Sequence, residues 1–150
     1  MHPGDLAPDF TLPDHRGVDF SLSENLARAR VVLFFYPSAL SRGCTKESCH
    51  FRDLAEEFKA LGAQRVGISM DKVQRQARFA QAHDFDYPLL SDERGHVAEL
   101  YGVKRGADLL RVKRVTFVID TDRTLIDVIT SELAMHVHAD RALQALTTRG

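Results

Sequence analysis

The segment that most constrains the fold is a continuous apolar run from Val31 to Tyr36, which a short turn connects to an amphipathic helix. An unbroken apolar run is typical of a strand that is buried on both faces. The helix is predicted over residues 45 to 61, because apolar residues recur there at helical spacing and Gly62 then ends it. A strand that passes into a helix in this way favours a parallel sheet covered by helices.

The rest of the chain continues this alternation, with a hairpin at each end of the series. The N-terminal β-hairpin is predicted over residues 8 to 22, and a late antiparallel hairpin is predicted from the strands Val115–Asp120 and Leu125–Thr130. The elements predicted between and after them are strands at 65–70 and 87–90, helices at 72–83, 93–101 and 140–146, and a loop at 102–113. This order predicts an α/β, thioredoxin-like fold, in which helices flank a central mixed sheet.

Length and charge narrow the class of protein. A chain of 150 residues is expected to form a single domain over residues 1–150. Lys and Arg total 20 and Asp and Glu total 21, so charge offers no argument for nucleic acid or an anionic membrane as a partner. Since neither a membrane-spanning run nor a secretory signal is apparent, we expect a cytoplasmic protein, in which cysteines are more often reactive than structural.

Both cysteines lie in the turn and helix that follow the apolar run. At 100° per residue, Cys44 falls on the apolar side of the predicted helix and Cys49 on its solvent side. Five residues of regular helix separate the two by about 140° and about 7.5 Å of rise. A disulfide needs Cα atoms within about 7 Å and converging Cβ vectors. A bond between these cysteines therefore requires the first turns of the helix to unwind.

The surroundings of Cys44 favour an ionised, accessible, nucleophilic thiol. The start of a helix stabilises an anion, and Arg42 and Lys46 are close in sequence. The Ser41 hydroxyl can donate to the thiolate or to a bound oxygen, and Pro37 stiffens the turn. A lone cysteine beside an apolar stripe is otherwise an inert core residue. Cys49, taken alone, has no such neighbours and could be a neutral surface residue.

This stretch resembles the peroxiredoxins, specifically the bacterioferritin-comigratory or Q-type subfamily. The family pattern Pro-x-x-x-Thr/Ser-x-x-Cys is met by Pro37, Ser41 and Cys44, and the subfamily's second cysteine is matched by Cys49. Ser41 stands where the family usually has threonine, and Arg42 where it commonly has proline. The similarity extends over nearly the whole chain, including residues 4–10, 34–37, 43–47, 51–53, 66–69, 88–92 and 114–120.

The resemblance implies a thiol peroxidase that reduces hydrogen peroxide and alkyl hydroperoxides. It makes Cys44 the peroxidatic cysteine and Cys49 the resolving cysteine, whose disulfide thioredoxin or a similar dithiol would reduce. Arg114 matches the active-site arginine, which would stabilise charge together with Ser41 and the Cys44 amide. Gly43 and Glu47 match supporting positions, where Glu47 either orients an arginine or is a solvated helix carboxylate. The resemblance also implies a monomer that needs no metal, haem or flavin.

Other chemistry is less well supported by the residues. Cys44, Cys49 and His50 have poor spacing for a zinc site, and the imidazoles of the segment Met135–His138 are expected at the surface. The basic residues between Lys104 and Arg114 are expected to form a solvated loop or, alternatively, a docking site for a partner. The main alternative function is a peroxide-sensing or holdase-type binding protein, in which the same cysteine oxidation occurs without turnover. A structural disulfide is the third possibility.

Overall fold

The structure is a computed structural model that describes residues 1–106 and 111–149. In chain order its strands are β1 (Thr11–Pro13), β2 (Asp19–Ser21), β3 (Arg30–Phe35), β4 (Ala63–Ser69), β5 (Leu89–Ser91), β6 (Val115–Ile119) and β7 (Leu125–Thr130). Its helices are α1 (Leu22–Leu26), α2 (Arg42–Asp53), α3 (Ala55–Ala60), α4 (Val73–His83), α5 (His96–Leu100) and α6 (Met135–Arg149).

Five strands form one mixed sheet in the order β5-β4-β3-β6-β7. The pairs β3–β4 and β4–β5 are parallel, whereas β3–β6 and β6–β7 are antiparallel. Strands β1 and β2 form a separate antiparallel hairpin near the N-terminus. This arrangement confirms the predicted thioredoxin-like α/β fold with a mixed central sheet and an N-terminal β-hairpin.

Strand β3 separates two apolar cores, as its unbroken apolar sequence predicts. Val31, Leu33 and Phe35 face a core that includes residues of the N-terminal hairpin, α1 and α5. Val32 and Phe34 face a second core built with α2, α3, α4 and α6. The carboxyl end of β3 therefore delivers the chain to the start of α2, which places the cysteines at the edge of the second core.

Most predicted strands and helices differ from the structure by a few residues at their ends, and three of the helices show larger differences. The single helix expected over 45–61 is divided into α2 and α3 at Leu54, whose φ of −98° and ψ of 22° leave the helical region. The short helix α1 was not predicted, although Ser21 caps it by accepting a hydrogen bond from the Glu24 amide at 3.4 Å. The last helix is longer than 140–146 and begins at Met135. Of the predicted loop, residues 107–110 lie outside the described part of the chain.

Candidate active site

Cys44 lies in the first turn of α2 and is completely buried. The sequence position predicted an accessible thiol, and this expectation is wrong for the present conformation, because the sulfur packs into the second core. Its Sγ accepts a hydrogen bond from Nη2 of Arg114 at 3.3 Å. A Cβ at Gly43 would lie 3.4 Å from Arg114 Nη2 and 3.5 Å from Met135 Sδ, which are ordinary contact distances. The packing around Gly43 therefore does not by itself require glycine.

Arg114 connects the thiol to a buried carboxylate. It lies just before β6 and only 6% of it is exposed. Its Nη1 donates to Glu47 Oε1 at 2.7 Å while Nη2 reaches Cys44, so one planar group holds both partners. Burial opposes the positive charge, but the nearby charges of Glu47 and Cys44 outweigh it and raise the pKa of Arg114. The guanidinium therefore stays charged beside the sulfur.

Glu47 is fully buried on the inner face of α2, so the interpretation of this residue as a solvated helix carboxylate is wrong. Burial raises the pKa of Glu47 to about 7, although the Arg114 charge and hydrogen bond act in the opposite direction. Its second oxygen, Oε2, has no hydrogen-bond partner among the residues that the structure describes. His138 Nδ1 lies 3.6 Å from that oxygen.

His138 was expected at the surface and is instead fully buried in α6. Its Nδ1 lies 2.8 Å from Thr116 Oγ1, and its Nε2 lies 2.8 Å from the carbonyl oxygen of Ser131. Burial lowers the pKa of His138, and the Arg114 charge lowers it further. The periodicity of α6 could have revealed this position, because its buried residues recur at helical spacing: Met135, His138, Ala139, Ala142 and Leu146.

The loop before α2 is held by contacts other than those predicted. Ser41 Oγ donates to the carbonyl oxygen of Ser38 at 2.8 Å and is engaged there, whereas we expected it to serve Cys44. Pro37 is buried in this loop, as a residue that stiffens the turn would be. Arg42 and Lys46 are exposed at the start of the helix, so their side chains extend into solvent.

Asp71 anchors the same loop, and the sequence analysis did not identify it. Its Oδ2 accepts from the Ala39 amide at 2.7 Å and from Ser69 Oγ at 2.6 Å. Its Oδ1 forms ion pairs with Arg75 at 3.1 Å and with Arg111 at 3.3 Å. The buried aspartate therefore ties the loop before Cys44 to β4 and α4.

The basic stretch between Lys104 and Arg114 is not a uniformly solvated loop. Arg114 is buried in the site, Arg111 pairs with Asp71, and Arg105 pairs with Glu132 at 3.5 Å. Glu132 also accepts a hydrogen bond from the Arg114 amide at 3.1 Å. These contacts hold the segment in place beside Cys44. The expectation of a solvated loop is therefore wrong for Arg105, Arg111 and Arg114.

Cys49 lies one and a half turns after Cys44 in α2, and both cysteines are free. It was expected to face solvent, but it is only partly exposed and packs against the second core. Burial raises the pKa of the Cys49 thiol. The structure thus contains an intact helix in which the two thiols are not bonded, the arrangement of a reduced protein.

Two side chains from outside α2 hold its second half. The Tyr87 hydroxyl donates to the carbonyl oxygen of Ser48 at 2.7 Å, and Arg65 Nη1 donates to the carbonyl oxygen of Phe51 at 3.0 Å. Arg65 also pairs with Asp86 at 2.8 Å. These tertiary contacts satisfy helix carbonyls close to the division between α2 and α3.

Two features are absent from residues 1–106 and 111–149. No helix in these ranges is long and apolar enough to cross a membrane. The same ranges contain no group of three or more His, Cys, Asp or Glu residues arranged to hold a metal ion.

Comparison with known proteins finds a family model and relatives that point to the same family. The AhpC/TSA family model matches residues 3–128. A putative peroxiredoxin of Mycobacterium tuberculosis is 58% identical over 148 residues, which cover 97% of this chain and 96% of that protein. Peroxiredoxin Bcp of Escherichia coli is 39% identical over 127 residues, which cover 81% of each protein.

Solved structures that are similar to this chain belong to the same family of proteins. The crystal structure of peroxidoxin BcpB from Mycobacterium tuberculosis matches with a TM-score of 0.95 and 57% identity, covering 99% of this chain and 97% of that one. The bacterioferritin comigratory protein of Xanthomonas campestris matches with a TM-score of 0.85 and 27% identity, covering 93% and 91%. The chain therefore belongs to the AhpC/TSA family and is a peroxiredoxin of the bacterioferritin-comigratory or Q type, a thiol peroxidase.

Proposed function

We propose that Cys44 is the peroxidatic residue of this peroxidase. Its thiolate attacks one oxygen of the peroxide, the O–O bond breaks, and a proton completes the leaving water or alcohol. The sulfur is thereby oxidised to a sulfenic acid and the peroxide is reduced. The observation that carries this assignment is the 3.3 Å contact between Arg114 Nη2 and Cys44 Sγ inside a buried site. Because Cys44 is buried, the loop before α2 must move to admit the peroxide while α2 keeps its contacts with Arg114.

Arg114 is the group that stabilises charge in this proposal. Its guanidinium is fixed by Glu47 at 2.7 Å and so is already oriented before a substrate arrives. It holds the thiolate and then polarises the leaving oxygen. Ser41 and the Cys44 amide act as further donors, once the Ser41 hydroxyl turns away from the Ser38 carbonyl. Pro37 and Gly43 are supporting residues of the turn that carries Cys44.

Cys49 is the resolving residue in the second half of the cycle. Its thiolate attacks the sulfur of the Cys44 sulfenic acid, an intramolecular disulfide forms, and the departing hydroxide takes up a proton to leave as water. Since both residues belong to α2, the helix has to unwind before their sulfurs can meet. Thioredoxin or a similar dithiol then reduces the disulfide by exchange.

Hydrogen peroxide and alkyl hydroperoxides are the proposed substrates. The Xanthomonas campestris relative is described by its alkyl peroxide reduction activity, which supports the second class. We further propose that residues 1–150 form one monomeric domain that works in the cytoplasm, where dithiol reductants are available.

A coupled assay with thioredoxin, its reductase and NADPH tests these assignments. We expect turnover of peroxide by the wild type and none by Cys44→Ser. For Cys49→Ser we expect a single equivalent of peroxide consumed, or partial activity where another thiol resolves Cys44. Ser48→Ala is the matched control, because it alters the neighbouring buried residue of α2 and should retain turnover. Full turnover in Cys44→Ser would contradict the mechanism. Stoichiometric oxidation of the wild type without NADPH consumption would favour the peroxide-sensing or holdase function.

A further inference from the structure

Two positive charges at the start of α2 have no part in the proposed chemistry. Arg42 and Lys46 are exposed, and neither side chain has a hydrogen-bond or ion-pair partner among the residues that the structure describes. Their position in the sequence suggested that they stabilise the Cys44 thiolate, but Arg114 is the cation that contacts the sulfur. The two charges are therefore available to a molecule that approaches from solvent.

Both charges lie on the same face of α2 as the proposed resolving cysteine. At 100° per residue, positions 42, 46 and 49 fall within about 60° of one another. Arg42 and Lys46 are four residues apart and Lys46 and Cys49 are three apart, so the Cβ atoms of each pair are about 5–6 Å apart. Cys49 is partly exposed on this basic face. A molecule that reaches the Cys49 sulfur from solvent therefore meets both charges.

The charged side chains further along α2 are already paired. Arg52 forms an ion pair with Asp53 at 3.0 Å, and His50 Nε2 lies 2.7 Å from Asp140 Oδ1. The surplus positive charge of this surface therefore comes from the first turns of the helix, beside the cysteines. Because salt screens charges beyond about 8 Å at physiological ionic strength, this local surplus matters more to an approaching molecule than the net charge of −1 on the whole chain.

The charges stay beside the cysteines when α2 unwinds. The proposed disulfide closes a loop of the chain that contains Lys46. Arg42 is two residues before Cys44, and an extended chain advances about 3.5 Å per residue, so their Cα atoms remain within about 7 Å. The segment 42–49 has a net charge of +1 even when Glu47 is counted with them. The oxidised form therefore presents its disulfide in a positive surrounding.

We propose that the basic face of α2 is a docking surface for the reductant, and that this reductant is a dithiol protein with acidic residues around its reactive thiol. The inference rests on the proposed disulfide between Cys44 and Cys49. Opposite charges raise the rate of encounter and orient the two partners. Arg42 stands where the family commonly has proline, so a chain with that proline would lack the first of these charges.

The exchange reaction itself involves anions. A thiolate of the reductant attacks one sulfur of the disulfide, and the other cysteine leaves as a thiolate. The second thiol of the reductant then breaks the mixed disulfide, which returns both cysteines to the reduced state and leaves the reductant oxidised as its own disulfide. Nearby positive charges favour these thiolates with any thiol reductant. A test of docking must therefore vary the charge of the reductant's surface and keep its dithiol unchanged.

Stopped-flow reduction of the oxidised full chain by two forms of one reductant provides this test. The first form is a thioredoxin that carries acidic residues beside its dithiol, and the second is the same thioredoxin with these residues replaced by their amides. At low ionic strength we expect the wild type to react about five-fold faster with the acidic form. The double variant that combines Arg42→Gln with Lys46→Gln should react equally with both forms. Added salt of about 0.3 M should remove the difference in the wild type.

The double variant that combines Arg28→Gln with Lys59→Gln is the matched control. It removes the same charge from exposed residues that lie outside α2, near the amino end of β3, and it should still distinguish the two thioredoxins. An uncharged phosphine reductant reports the reactivity of each disulfide without docking. A wild type that reacts equally with both thioredoxins, or an Arg42→Gln, Lys46→Gln variant that still favours the acidic form, overturns the inference while the disulfide still forms. Absence of a Cys44–Cys49 disulfide after peroxide treatment overturns the proposed function instead.

Discussion

Two glutamates contact Arg114, and burial makes them chemically different. Glu132 is partly exposed and accepts from the Arg114 backbone amide, whereas Glu47 is fully buried and accepts from the guanidinium. Removing the carboxylate of Glu47 from water disfavours its charge more than Arg114 favours it, and the Glu47 pKa rises to about 7. At the scale of single residues, the site is therefore sensitive to pH near neutrality.

This shift predicts how stability depends on pH. The folded protein binds the Glu47 proton more tightly than the unfolded chain, since the pKa rises from 4.5 to about 7 on folding. The stabilisation is complete below pH 4.5 and is lost as the pH rises to about 7. We expect the melting temperature of the wild type to fall relative to that of Glu47→Gln across this interval. If the two proteins differ in melting temperature by the same amount at every pH, the prediction is contradicted.

The residues of the site were predictable to different degrees. The turn before α2 identified Cys44 directly, because helix starts and nearby hydroxyls are local features of sequence. Arg114 came only from the resemblance, since it lies 70 residues further along the chain and only the β3–β6 pairing brings it close. Asp71 and His138 were missed because their importance depends on burial and on partners distant in sequence.

At the scale of elements, α2 is secured by side chains that belong to other parts of the fold. The Tyr87 hydroxyl holds the Ser48 carbonyl within the segment between the two cysteines, whereas Arg65 holds Phe51 beyond it. Disulfide formation requires that segment to unwind, so the Tyr87 hydrogen bond must break and the Arg65 hydrogen bond can remain. Tyr87 is therefore expected to slow resolution of the sulfenic acid.

Tyr87→Phe should accelerate formation of the Cys44–Cys49 disulfide by several-fold, because a buried hydrogen bond contributes about 1 kcal/mol. Less Cys44 should then reach the sulfinic acid when peroxide is in excess. Mass spectrometry of the cysteine states after a peroxide pulse measures both effects. Tyr101→Phe is the matched control, since its hydroxyl also donates to a backbone carbonyl at 2.7 Å, on Pro8, far from α2 in the chain. Equal rates in the two variants would refute this role.

At the scale of the whole molecule, the two apolar cores on either side of β3 form the frame of the fold. Buried polar contacts then fix the loop that precedes Cys44. The unbroken apolar run of β3 predicted two cores well, because such a run is a property of the local sequence. The division at Leu54 was not predictable in the same way, since residues 45–61 contain neither Gly nor Pro near that point. The extent of α6 was also underestimated, because His136 and His138 interrupt its apolar pattern.

Asp71→Asn tests how far this frame depends on one buried charge. The variant weakens the contacts with Ala39, Arg75 and Arg111 together, and we expect about 2 kcal/mol of lost stability in urea unfolding. Peroxidase activity should also fall, since the loop before Cys44 loses its anchor. Asp127→Asn is the control, because its 3.6 Å pair with Arg141 is more exposed and should contribute less than about 1 kcal/mol. Equal losses in the two variants would rule out a special role for Asp71.

The division between α2 and α3 at Leu54 affects how much of the fold is disturbed when α2 unwinds. The segment around the two cysteines can lose order while Phe51, at the end of α2, and Phe58, in the separate helix α3, stay in the second core. In the proposed cycle, the disturbance caused by each oxidation would then be confined to that segment. The remaining fold serves as a template on which the displaced segment re-forms after reduction, so little apolar surface is offered to neighbouring molecules during the cycle.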